Sequence, residues 1–227
     1  MSTLPQTGAV SEAVQDYAKA IYSLHRRSGA PVATSALAER LDVSPASASA
    51  MLKRLDSMGL VTHRPYHGTE LTDAGVRVAL EVIRHHRLLE AYLAEALGMP
   101  WDRVHAEAEV LEHAISPELS ELIAEKLGHP THDPHGDPIP SADGTIDEAV
   151  TIPLADVGEG QAGVFTRVSD SDPEMLRYLS QRGIAPGDRL EVLERQPFGG
   201  PLTVHFASGE HTLGGDLVRM MRVAVEV

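Results

Sequence analysis

The chain has 227 residues, and its 42% hydrophobic and 23% charged composition is typical of a globular protein rather than a disordered one. The absence of cysteine excludes disulfides, thiolate metal sites and cysteine nucleophiles, so any metal ion must be bound through nitrogen and oxygen. The net charge is -14, yet residues 1–80 contain eight Lys and Arg against seven Asp and Glu, so the amino-terminal part differs electrostatically from the acidic remainder.

The amino-terminal third predicts a winged helix-turn-helix domain. Apolar residues recur with helical period over 11–28, and a short second helix is expected over 33–41. Ser44 and Pro45 then supply the N-cap and first position of a third helix that reaches Met58. Two short strands around a turn at 65–68 follow directly, which is typical of a winged DNA-binding domain. A generic three-helix domain is the alternative.

The third helix is predicted to enter the major groove of DNA. Small side chains at its start would allow close approach to base edges, with little capacity for bidentate hydrogen bonds to bases. Basic side chains on the helix and on the first strand would contact phosphates. The predicted DNA-contacting residues are Ser44, Ala46, Ser47, Ala50, Lys53, Arg54 and Arg64.

Three more helices are predicted over 72–97, 101–114 and 116–128, and two of them carry histidines and carboxylates together. His86 and Glu90 are one helical turn apart, and the second helix places four such residues within an arc of about 100°. An exposed polar face would explain one pair, but two consecutive helices with this chemistry favour a divalent transition metal. The four residues are His105, Glu109, Glu112 and His113.

The remaining sequence predicts an irregular linker and a small β domain. Residues 129–151 are rich in Pro, Gly, Asp and His. Strands are expected over 163–168, 189–194, 202–206 and 217–227, and together with one helix over 173–181 they suit a small β-barrel. The apolar faces of the central helices exceed what one winged domain can cover, so we expect a dimer. With no membrane span and no signal peptide in the sequence, we expect it in the cytoplasm, without a membrane partner.

Several motifs resemble the diphtheria toxin repressor family of metal-dependent transcriptional regulators, over nearly the whole chain. They are Leu41-Asp42-Val43-Ser44, Gly59-Leu60-Val61, Arg84-His85-His86-Arg87-Leu88-Leu89-Glu90, Trp101-Asp102-Arg103-Val104-His105 continuing to Glu112-His113, and the linker Asp133-Pro134-His135-Gly136-Asp137-Pro138-Ile139-Pro140. The resemblance implies a homodimer that binds palindromic operator DNA when a divalent metal is bound. It implies no enzymatic activity and no small-molecule substrate.

The resemblance also implies a fold that is mainly α with a small β part. Its expected segments are a winged helix-turn-helix DNA-binding domain over 1–73, a helical metal-binding and dimerisation domain over 74–140, a linker over 141–156 and an SH3-like, FeoA-like β-barrel over 157–227.

Matching positions in the family imply two metal sites per subunit. The ligands of the first would be Asp16, Glu109, Glu112 and His113. The second would use His86, Glu90 and His105, with a carboxyl-terminal ligand at Asp172 and with Glu174 close by. Some family members instead take a ligand from the linker, at the position of Asp133 or His135, and the sequence leaves this choice open. Solvated loop residues are the alternative for the linker positions.

The expected metal is Mn²⁺. Iron-sensing members carry Met and Cys where this sequence has Asp16 and Glu109, and hard oxygen in place of soft sulfur favours manganese. Lys19 stands where a paired-metal site in some members has Glu, which argues against a two-ion cluster at the first site.

We therefore predict a manganese-responsive transcriptional regulator, a repressor of metal-ion transport genes. Three alternatives remain. One is an iron-responsive, Fe²⁺-binding regulator of the same family. Another is a carboxylate-bridged metalloenzyme, although the chain lacks a Glu-x-x-His motif on each of two helices. The third is a regulator whose barrel binds a partner and whose metals are structural.

Overall fold

The structure is a computed structural model that describes residues 10–64, 67–147 and 149–226. It divides into two compact units. The first takes in the described residues up to His85 together with Glu112–Pro117 and Pro140–Thr145, and the second takes in His86–Leu111, Glu118–Ile139 and the described residues from Ile146 onward. Among the described helices, none combines the length and the apolar character that a bilayer-crossing segment needs.

The first unit begins with three helices, α1 (Glu12–Ser28), α2 (Thr34–Arg40) and α3 (Pro45–Ser57). Asp42 adopts a left-handed conformation, with φ 50°, in the turn between α2 and α3. The Ser44 hydroxyl then accepts a hydrogen bond from the Ser47 N–H, so the predicted cap of α3 is formed. These local features produce the helix-turn-helix.

The wing is the antiparallel hairpin of β1 (Val61–Arg64) and β2 (Gly68–Leu71), in which Thr62 lies opposite Glu70. Pro65 and Tyr66, two residues of the predicted turn, lie outside the described residues. The hairpin follows α3 directly, so the predicted winged helix-turn-helix architecture is confirmed.

One core joins these elements to the start of the next helix, α4 (Asp73–Glu95). Gly75, in the first turn of α4, allows a close approach of backbone, because a Cβ there would lie 2.0 Å from the carbonyl oxygen of Leu60. Apolar side chains at helical spacing on α1 and α3 fill this core. Its fully buried members include Val14, Ala18, Ile21, Leu37, Ala48, Leu52, Leu55 and Ala79.

Two shorter helices follow α4, and they end earlier than the sequence pattern predicts. They are α5 (Trp101–Leu111) and α6 (Pro117–Lys126). Glu112 and His113 lie in the turn after α5, so the prediction that they share a helical face with His105 was wrong. Pro117 is the first residue of α6, and residues 112–114 form the turn between the two helices.

The carboxyl-terminal part of the second unit is a six-stranded antiparallel sheet, and its strands lie in the order β3-β8-β4-β5-β6-β7. No pairing among the described strands joins β3 to β7, so they form an open sheet rather than a closed barrel. The strands are β3 (Ile152–Pro153), β4 (Ala162–Val168), β5 (Arg189–Arg195), β6 (Leu202–Phe206), β7 (Gly209–Leu213) and β8 (Met221–Val225).

Two helices accompany this sheet, α7 (Pro173–Ser180) and α8 (Leu217–Met220). The strand expected over 217–227 is therefore a short helix followed by β8. Sequence patterning missed β3, which has only two residues, and β7, whose polar side chains are exposed. Alternate side chains of the longer strands point into one core with α7, as the two-residue period of a strand requires. Phe165, Leu176, Leu179, Leu190, Val192, Val204 and Phe206 are among its buried members.

Candidate metal centre

The first unit brings three predicted ligands together, which we call the Asp16 cluster: Asp16, Glu112 and His113. Asp16 lies on α1, and the other two lie in the turn after α5. His113 Nε2 is 2.8 Å from Asp16 Oδ1 and 3.5 Å from Glu112 Oε1. Nitrogen and oxygen donors thus converge from two segments that are far apart in sequence.

Gln15 orients the histidine of the Asp16 cluster. Its side-chain oxygen lies 2.6 Å from His113 Nδ1, and because an amide oxygen can only accept, Nδ1 carries the donated hydrogen. The lone pair of neutral His113 is then at Nε2, which faces the carboxylates. This arrangement is typical of metal-binding histidines, whose second nitrogen donates to a fixed acceptor. Sequence reasoning missed Gln15. The feature that could have revealed it is a polar residue on the apolar side of α1, where its side chain is buried.

The charges of the Asp16 cluster are only partly balanced by the chain. Burial raises the pKa of Asp16, and the neighbouring His113 counteracts this rise. Lys19 Nζ donates to both carboxylate oxygens of Glu112, at 2.9 and 2.7 Å. A cation that binds next to Asp16 would therefore relieve the cost of keeping its carboxylate charged.

The second unit holds a separate group, the Glu90 cluster, which consists of His86, Glu90, His105 and Asp170. Glu90 Oε1 is 3.0 Å from His86 Nε2 and 3.2 Å from His105 Nδ1, and these two nitrogens are 3.1 Å apart. Ligands at about 2.1 Å from one ion and at right angles would be about 3.0 Å apart. The spacing therefore fits a divalent cation, and Asp170 adds an oxygen 3.0 Å from His105 Nδ1.

Protons balance the charges of the Glu90 cluster. Hydrogen bonds to Asp170 and Glu90 raise the pKa of His105 to about 10, although burial opposes this. Burial alone would raise the pKa of Glu90, but the neighbouring imidazoles of His105, His135 and His86 hold it well below the usual range. The cluster therefore needs positive charge, which a metal ion can supply in place of protons.

The linker approaches the other oxygen of Glu90. Glu90 Oε2 lies 3.7 Å from His135 Nδ1, and neither buried atom has a hydrogen-bond partner among the described residues. His135 Nε2–H donates to the carbonyl oxygen of Trp101 at 2.8 Å, which orients the ring so that Nδ1 faces Glu90. Two such buried atoms side by side are costly unless a cation or a proton joins them.

Asp133 supports this arrangement from the linker. Its Oδ1 accepts hydrogen bonds from the backbone N–H groups of His135 and Asp137, at 2.8 and 3.0 Å. Burial raises the pKa of Asp133 well above its usual value, and the charge of Glu90 adds to this rise. The two predicted sources of an additional ligand, the linker and the carboxyl-terminal domain, thus both reach Glu90.

Three predicted ligands lie elsewhere. Asp172 caps α7, and its Oδ1 accepts from the backbone N–H groups of Glu174 and Met175. Pro173 occupies the first position of α7, which makes Asp172 the cap residue. The carboxylate that joins the Glu90 cluster is therefore that of Asp170, and Glu174 is exposed. Glu109 is exposed on α5, in the second unit, with Oε1 3.8 Å from His86 Nδ1 and from His105 Nε2.

The predicted DNA-contacting residues lie on α3, at its cap and on β1. All seven are exposed, namely Ser44, Ala46, Ser47, Ala50, Lys53, Arg54 and Arg64. The hydroxyls of Ser44 and Ser47 are 2.8 Å apart, so each already has one hydrogen-bond partner. The exposed side chains are therefore small, with two hydroxyl groups, at the start of α3 and basic further along the helix.

Replacing Gly136 with alanine is expected to lower both stability and metal binding at the Glu90 cluster. Gly136 has φ 86°, and a Cβ there would lie 1.9 Å from the carbonyl oxygen of Thr166, so the linker turn must move. The expected destabilisation is about 3 kcal/mol, from strain and overpacking. The measurement is thermal unfolding together with Mn²⁺ titration.

The matched control is Gly160→Ala, because Gly160 has φ 76° and open space around its Cβ position. It should cost only the left-handed backbone penalty of about 1–2 kcal/mol and leave metal binding unchanged. Equal effects of the two substitutions would contradict the close approach as the cause.

Comparison with known proteins places these sites in a family. Residues 9–69 match the family model described as iron dependent repressor, N-terminal DNA binding domain, and residues 72–141 match iron dependent repressor, metal binding and dimerisation domain. Residues 152–225 match the FeoA domain.

Individual relatives agree with these matches. The iron-dependent repressor IdeR of Mycobacterium tuberculosis is 30% identical over 219 residues, which cover 91% of this chain and 94% of the relative. The diphtheria toxin repressor of Corynebacterium glutamicum is 28% identical over 218 residues, covering 91% and 93%. A solved structure titled manganese-dependent transcriptional repressor complex with manganese is 44% identical, has a TM-score of 0.86 and covers 93% of this chain and 99% of that one.

The predicted family and fold class are thus confirmed, and the family comprises transcriptional repressors rather than enzymes. The chain belongs to the iron-dependent repressor, or diphtheria toxin repressor, family of metal-dependent transcriptional repressors, with a DNA-binding domain, a metal-binding and dimerisation domain and a carboxyl-terminal FeoA domain.

Proposed function

We propose that the protein is a manganese-responsive repressor of metal-ion transport genes. The observation that carries this proposal is the 2.8 Å approach of Asp16 Oδ1 to His113 Nε2. Asp16 belongs to the segment matched by the DNA-binding model, and His113 belongs to the segment matched by the metal-binding model. Ligands from both segments thus meet in one cluster, which is what coupling between metal and DNA requires.

Two metal sites per subunit are part of the proposal. Asp16, Glu112 and His113 would hold the first ion, and the sequence adds Glu109 as a further ligand. His86, Glu90, His105 and Asp170 would hold the second, with His135 and Asp133 supporting it from the linker. When bound, each ion supplies the positive charge that protons and ammonium groups otherwise provide.

Manganese is the proposed ion because neither cluster offers sulfur. The chain has no cysteine, and the Asp16 cluster offers two carboxylates and one imidazole, which suit a hard cation. The 44% identical solved structure is titled as a manganese-dependent repressor with manganese, which supports this assignment. The names of the curated relatives favour iron, and the iron-responsive reading is therefore the second candidate.

The chain's own residues supply the coupling. Asp16 attaches α1 to the His113 segment, Gln15 fixes the histidine tautomer, and α3 presents its exposed face to DNA. Metal favours the conformation that binds it more tightly, which here is the one in which the ligands are assembled. If the metal affinities of the two conformations differed by a factor of about 10⁴, their populations would shift from 1:99 to 99:1. Metal would thereby favour the DNA-binding conformation.

The proposed partners are a second copy of the chain and palindromic operator DNA. Four large apolar side chains on α5 and α6 are at least 37% exposed, and a homodimer interface would cover them. They are Val110 and Leu111 on α5 and Leu119 and Leu122 on α6. A two-fold dimer suits a palindromic site. The proposed location is the cytoplasm. The proposed domains are the DNA-binding domain over 1–73, the metal-binding and dimerisation domain over 74–140, the linker over 141–156 and the carboxyl-terminal domain over 157–227.

The test is DNA binding titrated with different metals. Binding sites would first be selected from random duplexes in the presence of Mn²⁺, and anisotropy would then be measured with Mn²⁺, anaerobic Fe²⁺ and Zn²⁺, with elemental analysis of each complex. Mn²⁺ should support binding with two ions per subunit. Binding that responds to Fe²⁺ but not to Mn²⁺ would establish the iron-responsive alternative, and metal-independent binding would overturn both.

Replacing Lys53 with alanine should weaken binding to all duplexes alike. Lys53 is exposed on α3 and would neutralise one phosphate. In a homodimer the substitution removes one such contact from each subunit, so the slope of log affinity against log salt should become less steep by about 0.9 per contact, or about 1.8 for the dimer. Anisotropy at several salt concentrations measures this slope. Arg219→Ala removes an exposed charge from α8 and should leave it unchanged, so equal effects would refute a DNA contact at Lys53.

A further inference from the structure

Lys19 places a positive charge inside the Asp16 cluster. Its ammonium group donates to both oxygens of Glu112, at 2.9 and 2.7 Å, and the Glu112 side chain is 0% exposed. Lys19 is three residues after Asp16 on α1, so one face of this helix contributes both a carboxylate and an ammonium group. The buried carboxylate is thus neutralised by the chain itself.

This pairing differs from an ordinary surface ion pair. An exposed Lys-Glu pair contributes little, because water screens both charges. Glu112 is fully buried and needs a partner for its charge, since removing the partner of a buried ion is strongly unfavourable. Lys19 therefore supplies the counter-charge that the buried Glu112 carboxylate needs and holds it in place.

The same contact opposes a divalent ion. An ion that binds His113 Nε2 and Glu112 must share the Glu112 carboxylate with the ammonium group, and the two positive charges repel each other. A second ion would need a further carboxylate beside Glu112. The residue of α1 that faces Glu112 is Lys19, which offers an ammonium group instead.

We propose that Lys19 is a built-in counter-ion that restricts the Asp16 cluster to one divalent ion and lowers its affinity for that ion. This inference rests on the proposed metal site at Asp16. Lys19 acts through Glu112, so it is a positioning and specificity-determining residue rather than a ligand. The protein therefore responds to metal at a higher concentration than it would if the carboxylates were present without Lys19.

The test measures metal binding without DNA. Full-length protein carrying His105→Ala, which weakens the Glu90 cluster, is compared with the same protein carrying Lys19→Met, Lys19→Arg or Lys19→Glu. Mn²⁺ affinity and stoichiometry are measured by calorimetry and by electron paramagnetic resonance. Circular dichroism establishes folding, and Lys19→Gln replaces Lys19→Met if the latter does not fold.

We expect Lys19→Met to bind Mn²⁺ about tenfold more tightly, because the repulsion is gone. Lys19→Arg should retain the affinity of the parent, and Lys19→Glu should bind two ions with the spectrum of an exchange-coupled pair. Equal or weaker binding by Lys19→Met, or the spectrum of an exchange-coupled pair in the parent, would overturn the proposal. Loss of metal-dependent DNA binding with these titrations intact would refute the proposed function but not the role of Lys19.

Discussion

Asp16→Ala is expected to abolish metal-dependent DNA binding and to leave the dimer intact. Asp16 is the carboxylate that α1 contributes to the cluster with Glu112 and His113, so its removal should disconnect the DNA-binding segment from the proposed metal site. The expected loss of DNA affinity in saturating Mn²⁺ is at least about 100-fold, which corresponds to the coupling energy of a typical allosteric pair. Anisotropy with the selected duplex measures this loss, and sedimentation measures the dimer.

Glu12→Gln is the control for Asp16→Ala, because it also removes a carboxylate from α1 but lies outside the cluster. Its DNA binding should keep the metal dependence of the parent. Asp16→Asn, which preserves shape, should behave like Asp16→Ala if charge and ligation are what matter. An unchanged metal response of Asp16→Ala would disprove the proposed coupling.

Glu90→Gln should remove one ion per subunit and destabilise the second unit. Glu90 is 0% exposed and lies against three imidazoles, those of His86, His105 and His135. Without its charge, the raised pKa values of His105 and His135, about 10 and about 9, should fall, and their protonated forms lose a buried partner. Breaking a buried ion pair in this way costs about 3–5 kcal/mol.

Urea unfolding of the metal-free protein measures the stability of Glu90→Gln, and elemental analysis measures its bound Mn²⁺. Glu174→Gln serves as the control, since Glu174 is an exposed carboxylate that the sequence placed near this site. It should retain both ions and the parent's stability. If Glu90→Gln bound two ions, Glu90 could not be the centre of the second site.

Local rules predicted the parts of the molecule that depend on local chemistry. The Ser44 cap, the proline that follows it and the hairpin identified the winged domain, and the four-residue spacing of His86 and Glu90 identified one side of the Glu90 cluster. These features need only neighbours along the chain, so a sequence pattern is sufficient to find them.

Ligands from loops and helix ends depend on chain geometry that no pattern encodes. Asp16 is a single carboxylate on an otherwise ordinary amphipathic helix, and only resemblance to a family singled it out. Asp170 precedes the α7 cap by two residues, and the sequence offered two nearby carboxylates without a rule to choose between them. Gln15 is a polar residue on the apolar side of α1, but its role in orienting a histidine became visible only through its contact with His113.

Trp101 is the sole tryptophan of the chain, and its indole stacks on the imidazole of His135, with the ring centroids 5.9 Å apart. A protonated imidazole in contact with an indole ring quenches its emission, whereas one that binds a cation through Nδ1 is held in the neutral form. The emission of Trp101 is therefore expected to report occupancy of the Glu90 cluster without any attached dye.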